Sequence, residues 1–393
     1  MKKIIYIIAL ISIIGLIIYN SFKYPAKHFF WNNHQPIITG RSIKDGVILK
    51  NSDLKHLPLS GGLSKKIFNK HNINDFLKFI NKHFDDKSII TLSHLNWHMD
   101  NAINNNLIFG IEKNDTLYGV IAGNVIYITI DNKKYKTVYV DFLCIDKQHR
   151  KSNYSPLLIS FIIEYMKKNN CMLSLFKKDT SKHYFKHIYQ NNYYLLNIKT
   201  HMKWQNFIKS KNTMKSSINT IFTSFINTST TDKDTSISIK ELRNEINKHN
   251  IINDIYSIYE NECSKYRIYE YIDIKRFKMK ILSENILTLL FYKERVICGY
   301  IVLSKLYYSS FNDYIYDIYH FIIINNPSYK NQIINMVVEY LYSIGVNRIS
   351  TSLTPTTTYL IKYLRMTKCT KSYYYLYNYS LSNIQPNNIL LNY

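Results

Sequence analysis

Tyr139-Val140-Asp141-Phe142-Leu143-Cys144-Ile145 runs through Asp146-Lys147-Gln148-His149-Arg150-Lys151-Ser152-Asn153-Tyr154 into Ser155-Pro156-Leu157-Leu158-Ile159. An apolar strand-like run, a basic turn and a helix start follow one another here. Ser155 fits an N-cap, because its hydroxyl can accept an orphan backbone N–H, and Pro156 fits the first helical position, where no N–H is missed. The helix is therefore expected to begin near Ser155. Its first turn presents unpaired N–H groups and the positive end of the dipole to Arg150 and Lys151, a seat for a phosphate or pyrophosphate.

Outward from this stretch, residues 107–111, 118–123, 125–130 and 135–145 read as successive strands of an antiparallel meander broken by Asn-Asp and Asp-Asn turns. A further strand at 172–176 completes a strand-helix-strand crossover. The second half repeats the arrangement: strands at 287–292, 297–304 and 315–324 lead to a helix opened by Asn326-Pro327. That helix carries Val337-Val338-Glu339-Tyr340-Leu341 where the first carries Ile162-Ile163-Glu164-Tyr165-Met166. A duplicated unit is expected, and only the first copy has the basic turn. The boundary is placed near residues 200–235, where Thr228-Ser229-Thr230-Thr231-Asp232-Lys233-Asp234 reads as a surface loop.

The 393-residue chain has a formal charge of +24. Its lysines are scattered rather than clustered, so a nucleic-acid-binding face is not expected. Attraction to anionic membrane surfaces or to coenzyme phosphates does follow from the charge. Cys144, Cys171, Cys263, Cys298 and Cys369 show no paired spacing, which fits a reducing compartment. Met1-Lys2-Lys3 precedes an apolar run over residues 4–19, interrupted at Asn20-Ser21 before Phe22. The run is slightly short of the roughly 20 residues that span a bilayer, long for a signal-peptide core, and followed by no small-x-small cleavage site. An uncleaved anchor over residues 1–24, meeting the membrane through residues 4–22, is expected.

The opening stretch resembles the central signature of the N-myristoyltransferase family, roughly Glu-Ile-Asn-Phe-Leu-Cys-Val-His-Lys, then Leu-Arg-Ser-Lys-Arg, then Ala-Pro and an apolar helix. Phe142, Leu143, Cys144, Lys147, Arg150 and Pro156 match by identity. His28-Phe29-Phe30-Trp31 with Gln35-Pro36 resembles the family's Tyr-x-Phe-Trp and Gln-Pro element, with one extra residue between. Tyr374-Tyr375-Leu376-Tyr377-Asn378-Tyr379 resembles its closing Tyr-Tyr-Leu-Tyr-Asn-Trp strand. With those anchors in order the resemblance covers about residues 28–393, loosely between 170 and 290. It implies transfer of myristate from myristoyl-CoA, a cosubstrate, to the N-terminal glycine of proteins. The implied fold is α/β (α+β): tandem acetyltransferase-type (GNAT) domains in one saddle-shaped mixed sheet. Residues 25–210 would bind acyl-CoA, and residues 211–393 would carry the peptide groove and a catalytic C-terminus. Because acyl-CoA is cytosolic, a monomeric body on the cytoplasmic side is expected; a lumenal body would expose Asn153-Tyr154-Ser155 as a glycosylation acceptor.

The resemblance also implies site residues. Phe29, Phe30 and Trp31 would pack on the coenzyme, and Arg150, Lys151, Ser152, Asn153, Tyr154 and Ser155 would surround its phosphates, adjoining Cys144 and Ile145. Asn153 stands where the family has a second arginine. The backbone N–H groups of Phe142 and Leu143 would hold the developing oxyanion. Successive N–H groups in a regular strand point opposite ways, so this demands a bulge at Phe142-Leu143. The base would be the C-terminal carboxylate, here that of Tyr393. The apolar tail Ile389-Leu390-Leu391 favours threading back into the core, where burial would raise that carboxylate's proton affinity. Asp141 replaces a family asparagine beside the oxyanion donors, so it must face away, hold a proton or engage the incoming ammonium as a second acceptor; strand alternation puts it opposite Phe142, which favours the third. Asp85, Asp86 and His187 are candidates for the peptide groove, although the family's threonine segment is shortened here around residues 177–182. His94-x3-His98 and His183-x3-His187 have helical spacing but no third ligand, so no metal is expected. Two other readings stay open: a GNAT-fold acyltransferase with a different amine or a shorter acyl chain, and a catalytically inactive membrane-anchored homologue with a structural or assembly role.

Overall fold

The computed structural model describes residues 45–391 apart from 51–52, 54–56, 85–87, 101, 180–186, 216–236, 246–247, 325–328 and 382–383. The expected anchor over residues 1–24, the wall of Phe29, Phe30 and Trp31, the acidic pair Asp85 and Asp86, the loop at 228–234 and Tyr393 lie outside the described residues. No described helix is long and apolar enough to cross a membrane.

Fifteen strands form one mixed sheet among the described residues. The first half supplies β1 (Ser64–Ile67), β2 (Ser88–Ile89), β3 (Ile108–Lys113), β4 (Thr116–Ile130), β5 (Lys133–Ile145), β6 (Leu173–Lys178) and β7 (Tyr189–Asn197). The second supplies β8 (Ile237–Glu241), β9 (Ile268–Tyr271), β10 (Ile286–Lys293), β11 (Val296–Tyr308), β12 (Asp313–Ile323), β13 (Arg348–Ser352), β14 (Thr367–Tyr377) and β15 (Ile389–Leu390). Helices are α1 (Ile73–His83), α2 (Leu92–His98), α3 (Tyr154–Lys168), α4 (Ile198–Lys215), α5 (Lys248–Cys263), α6 (Ile274–Leu282), α7 (Lys330–Ser343) and α8 (Thr358–Tyr363). The sheet order is β15-β9-β4-β5-β6-β14-β7-β13-β12-β11-β10-β8, with β3 on β4, β1 on β3 and β2 on β11.

The repeat expected from the sequence is present as two crossovers, β5-α3-β6 and β12-α7-β13, each joining parallel neighbours. The halves are interlocked: β14 lies between β6 and β7, while β9 and β15 extend the edge at β4. Helices cover both faces. Alternation along β4 sends Val120 and Ala122 to a core shared with α1 and α2, and Ile121 to a core under α3. In the second half α7 and α8 pack on one core and α5 and α6 on another.

Two sequence expectations are corrected. Residues 118–130 form part of one continuous strand, β4, rather than two, because the buried mid-strand Asn124 donates its side-chain amide to Asp100 Oδ1 at 2.7 Å and so need not break the sheet. Helix α3 starts at Tyr154, with Asn153 at φ +60° as its boundary residue and no side-chain cap. Ser155 is therefore inside the first turn. The left-handed Asn153 turns the chain sharply enough to start the helix earlier, a conformation asparagine tolerates better than most residues. Leu158, Phe161, Ile162, Ile163 and Met166 then form the buried face of α3. Each such side chain contributes roughly 1.5–3 kcal/mol of apolar burial. Gly119 on β4 permits that close approach, since a Cβ there would lie 2.5 Å from Ile145 Cδ1 and 3.1 Å from Leu158 Cδ1.

Candidate active site

The decisive irregularity is in β5. Its ladder to β4 pairs Val120 with Cys144 and then Ala122 with Asp141, so Phe142 and Leu143 together oppose Ile121. Phe142 has φ +53°, a conformation that costs a non-glycine residue on the order of 1–2 kcal/mol. The bulge expected at Phe142-Leu143 is thus present. On its other side β5 pairs with β6 only over Thr137–Val140 and Leu173–Phe176, after which the two strands part. A cavity of roughly 1570 Å³ opens where they diverge. That exceeds the ~300–1,000 Å³ usual for a small-ligand site.

One end of the cavity is the turn before α3. Arg150, Lys151 and Asn153 are exposed there, with Tyr154, Ser155 and Pro156 completing the wall. Lys151 at φ +78° and Asn153 at φ +60° wrap the chain around the helix start. Ser152 follows the same turn but is not part of the wall. Arg150 is fixed by its Nη2 donating to the His83 carbonyl at 3.0 Å, which holds a cation beside the positive end of α3. Cys144 and Ile145 line the cavity on the strand side. Ile159, Ile162, Ile163, Met166 and Phe176 give it an apolar wall between α3 and the sheet.

Beside the bulge lies a polar cluster that the sequence does not announce. Asp141 Oδ2 is 2.9 Å from His98 Nε2 and accepts from the Tyr139 hydroxyl at 2.9 Å, while its Oδ1 accepts from the Phe142 N–H at 2.7 Å. Burial by itself would raise the Asp141 pKa, but the His98 bond and charge, the Lys177 charge and the Phe142 N–H outweigh it and hold the carboxyl well below the usual range. Asp141 is ionised. His94 stacks on His98 with ring centroids 5.7 Å apart, and burial, reinforced by His98, lowers its pKa to about 3. Its Nδ1 has no hydrogen-bond partner among the described residues.

This geometry corrects the expectation that Asp141 and Phe142 face opposite ways. Tyr139 and Phe142 share one core, and His98 reaches both Asp141 by its hydrogen bond and the Phe142 ring at 5.8 Å. The positive φ at Phe142 returns its side chain to the face that Asp141 already occupies. The same bulge aims the Phe142 N–H at Asp141, so this donor meets a carboxylate where an oxyanion was expected.

The second half closes the far end with Tyr319, Ser350 and Asp317, opposite Lys177 and Tyr193. Ser350 Oγ donates to Asp317 Oδ1 at 2.8 Å, yet burial still raises the Asp317 pKa to about 6. Tyr319 sits at a second bulge, between the pairs Val302–His320 and Leu303–Ile318, in the counterpart of β5. His187 is exposed against Tyr373, with centroids 5.0 Å apart, and is not among the residues lining this cavity. Sequence reading missed Lys177 and Asp317, which lie on strands of different halves, and noted His98 only for its spacing from His94.

Comparison with known proteins bears directly on this arrangement. The family model described as "Myristoyl-CoA:protein N-myristoyltransferase, N-terminal domain" matches residues 62–182, the span holding the bulge, the basic turn and α3. Over that span the chain matches the N-myristoyltransferase family. Two viral relatives carry the name "Putative glycylpeptide N-tetradecanoyltransferase". The one from Amsacta moorei entomopoxvirus is 27% identical over 175 residues, 42% of this chain and 56% of that protein. The one from Acanthamoeba polyphaga mimivirus is 27% identical over 123 residues, 30% of this chain and 34% of that protein. The chain thus spans about half the length or less of these curated relatives. The fold is that of the Saccharomyces cerevisiae N-myristoyltransferase solved with bound myristoyl-CoA, with a TM-score of 0.70 at 14% identity, covering 91% of this chain and 94% of that one. A second yeast structure, with myristoyl-CoA and inhibitors, gives the same TM-score over 94% of this chain and 95% of that one.

Proposed function

We propose that this protein moves a myristoyl group from myristoyl-CoA to the amine of an N-terminal glycine. The observation that carries the reading is the meeting, in one cavity, of a cationic helix start, a bulged and splayed strand and an apolar wall. Coenzyme phosphates fit the turn at Arg150, Lys151 and the α3 N-terminus, where charge and dipole act together. The acyl chain fits the wall of Ile159, Ile162, Ile163 and Met166. The thioester carbonyl then falls beside Phe142 and Leu143, whose N–H groups would stabilise the oxyanion once the Phe142 donor is shared with or released from Asp141. The C-terminal carboxylate of Tyr393 is a proton acceptor in this reading, and an anchor over residues 4–22 would hold the body on the cytosolic side.

A second reading, an acyltransferase of the same fold with another amine or a shorter chain, is favoured by Asn153 in place of a cation and by Asp141 on the Phe142 donor. Thermal stabilisation separates the two. Each buried methylene is worth about 0.8 kcal/mol, so myristoyl-CoA should raise the unfolding temperature well above the value reached with equimolar acetyl-CoA. Labelled myristoyl-CoA should then acylate glycine-initiated peptides and spare the same peptides begun with alanine. Equal labelling of both sets would favour the second reading; stabilisation by neither thioester would point to a retained fold without catalysis.

A further inference from the structure

We infer that His98, held by Asp141, takes the first proton from the attacking amine. This rests on the acyl-transfer reading above and adds a residue to it. His98 ends α2 and lines the cavity, its ring packed edge-on against Phe142 at 5.8 Å, so it borders the place where an amine must approach the thioester. Asp141 already accepts from the Tyr139 hydroxyl through Oδ2 and from the Phe142 N–H through Oδ1, and a carboxylate only accepts, so the contact at 2.9 Å assigns the proton to His98 Nε2. In the neutral ring Nδ1 is then the basic nitrogen. Among the described residues it makes no hydrogen bond that would occupy it.

The surroundings hold the ring in place. Lys280 Nζ donates to the carbonyls of Trp97 and His98, closing the last turn of α2, and the Trp97 Nε1–H returns a bond to the Lys280 carbonyl at 3.0 Å. His94 stacks on one face of His98, and Tyr139 packs edge-on at 5.7 Å. The titratable and charged groups around His98 are thus His94 on its own helix, Asp141 and Tyr139 on β5, Lys280 on α6 and, through Asp141, Lys177 on β6. Their arrangement, a base oriented by a carboxylate that remains ionised, is the one general-base catalysis requires. Asp141 is the positioning residue.

The step balances as follows. The ammonium gives one proton to His98 Nδ1, and the freed nitrogen lone pair forms the N–C bond while the carbonyl π pair moves to oxygen. The oxyanion collapses, the C–S bond breaks, and the thiolate leaves with the bonding pair. The second nitrogen proton passes, by way of the terminal carboxylate, to that thiolate, and imidazolium returns its proton to water. A nitrogen that must shed two protons has use for two acceptors, so His98 and Tyr393 are not exclusive.

The test measures kcat/KM against pH for the full chain with myristoyl-CoA and a glycine-initiated peptide, in the wild type, His98→Ala, His98→Gln, Asp141→Asn and the double variant. General-base loss typically costs about 10²–10⁴-fold. His98→Ala is expected to fall at least ~10²-fold and to lose the rising limb of the wild-type pH profile. Added imidazole should restore part of its rate, and His98→Gln, which fills the site, should stay as slow. Asp141→Asn should also be slow, by roughly ten-fold or more, and should add little to His98→Ala. If Asp141 merely crowds the oxyanion, restoring the family's asparagine would leave the rate equal or higher, and the inference is overturned. An unchanged pH limb in His98→Ala, or no imidazole rescue in a variant that still binds myristoyl-CoA, overturns it as well. A wild type that transfers nothing defeats the acyl-transfer reading itself, and this one with it.

Discussion

At the residue scale, the site depends on side chains carried by unfavourable backbone. Phe142, Lys151 and Asn153 all have positive φ, and together they set the bulge and the turn before α3. Lys151 is exposed, so its strain and its charge can be separated by substitution. Relief of left-handed strain is worth about 1–2 kcal/mol, against about 0.4–1 kcal/mol of added unfolded-state entropy. Lys151→Gly is therefore expected to gain roughly 0.5–1 kcal/mol of stability while binding myristoyl-CoA more weakly and with a shallower salt dependence. Chemical denaturation and titration at two ionic strengths check both halves. Unaltered coenzyme affinity would place the phosphates elsewhere.

At the element scale, α2 is a short helix fixed by a buried cation rather than by length. Lys280 is 3% exposed, and burial lowers its pKa to about 8 despite Asp100 nearby. Asp100 is itself paired with Arg276, which also meets Glu270. The sign of the linkage follows. Below about pH 8 the folded protein carries a charged, desolvated ammonium that the unfolded chain hydrates, a penalty relieved as pH rises from about 8 toward the model-compound value of 10.5. Over that window the unfolded state binds more protons, so the wild type should gain stability relative to Lys280→Met, by on the order of 2–3 kcal/mol. Denaturant midpoints of the two proteins at pH 7.5 and 10 would read this directly. A constant difference would mean that Lys280 reaches water in the native state.

For the whole molecule, the tail closes the structure. Ile389, Leu390 and Leu391 are no more than 4% exposed; β15 pairs in parallel with β9, and Ile389 and Leu391 join the core that contains Phe142. Removing residues 389–393 should cost on the order of 4 kcal/mol or more, since truncating even one buried Leu or Ile typically costs 2–5. Deleting Tyr393 alone should spare that packing and coenzyme binding while abolishing turnover. Thermal unfolding and acyl transfer on the two deletions distinguish the structural from the chemical use of the chain end. Full activity without Tyr393 would remove the terminal carboxylate from the reaction.

Sequence alone determined the repeated strand-helix-strand unit, the basic turn and the helix of α3, because these depend on local periodicity and turn chemistry, while the need for a bulge at Phe142-Leu143 came from the family resemblance that assigns both N–H groups to one oxyanion. It also located the tail in the core, since three consecutive apolar residues are poorly suited to solvent. Only the tertiary structure decided what the bulge does with its neighbours. The turn of Phe142 onto the face of Asp141, the capture of its N–H by that carboxylate, and the meeting of Asp141 with His98 come from positive φ and from packing between elements 43 residues apart. The same holds for Lys177 and Asp317, brought to one cavity by a sheet that interleaves both halves. Pairings between distant segments leave no period in the sequence, because burial and charge are settled only when the elements pack.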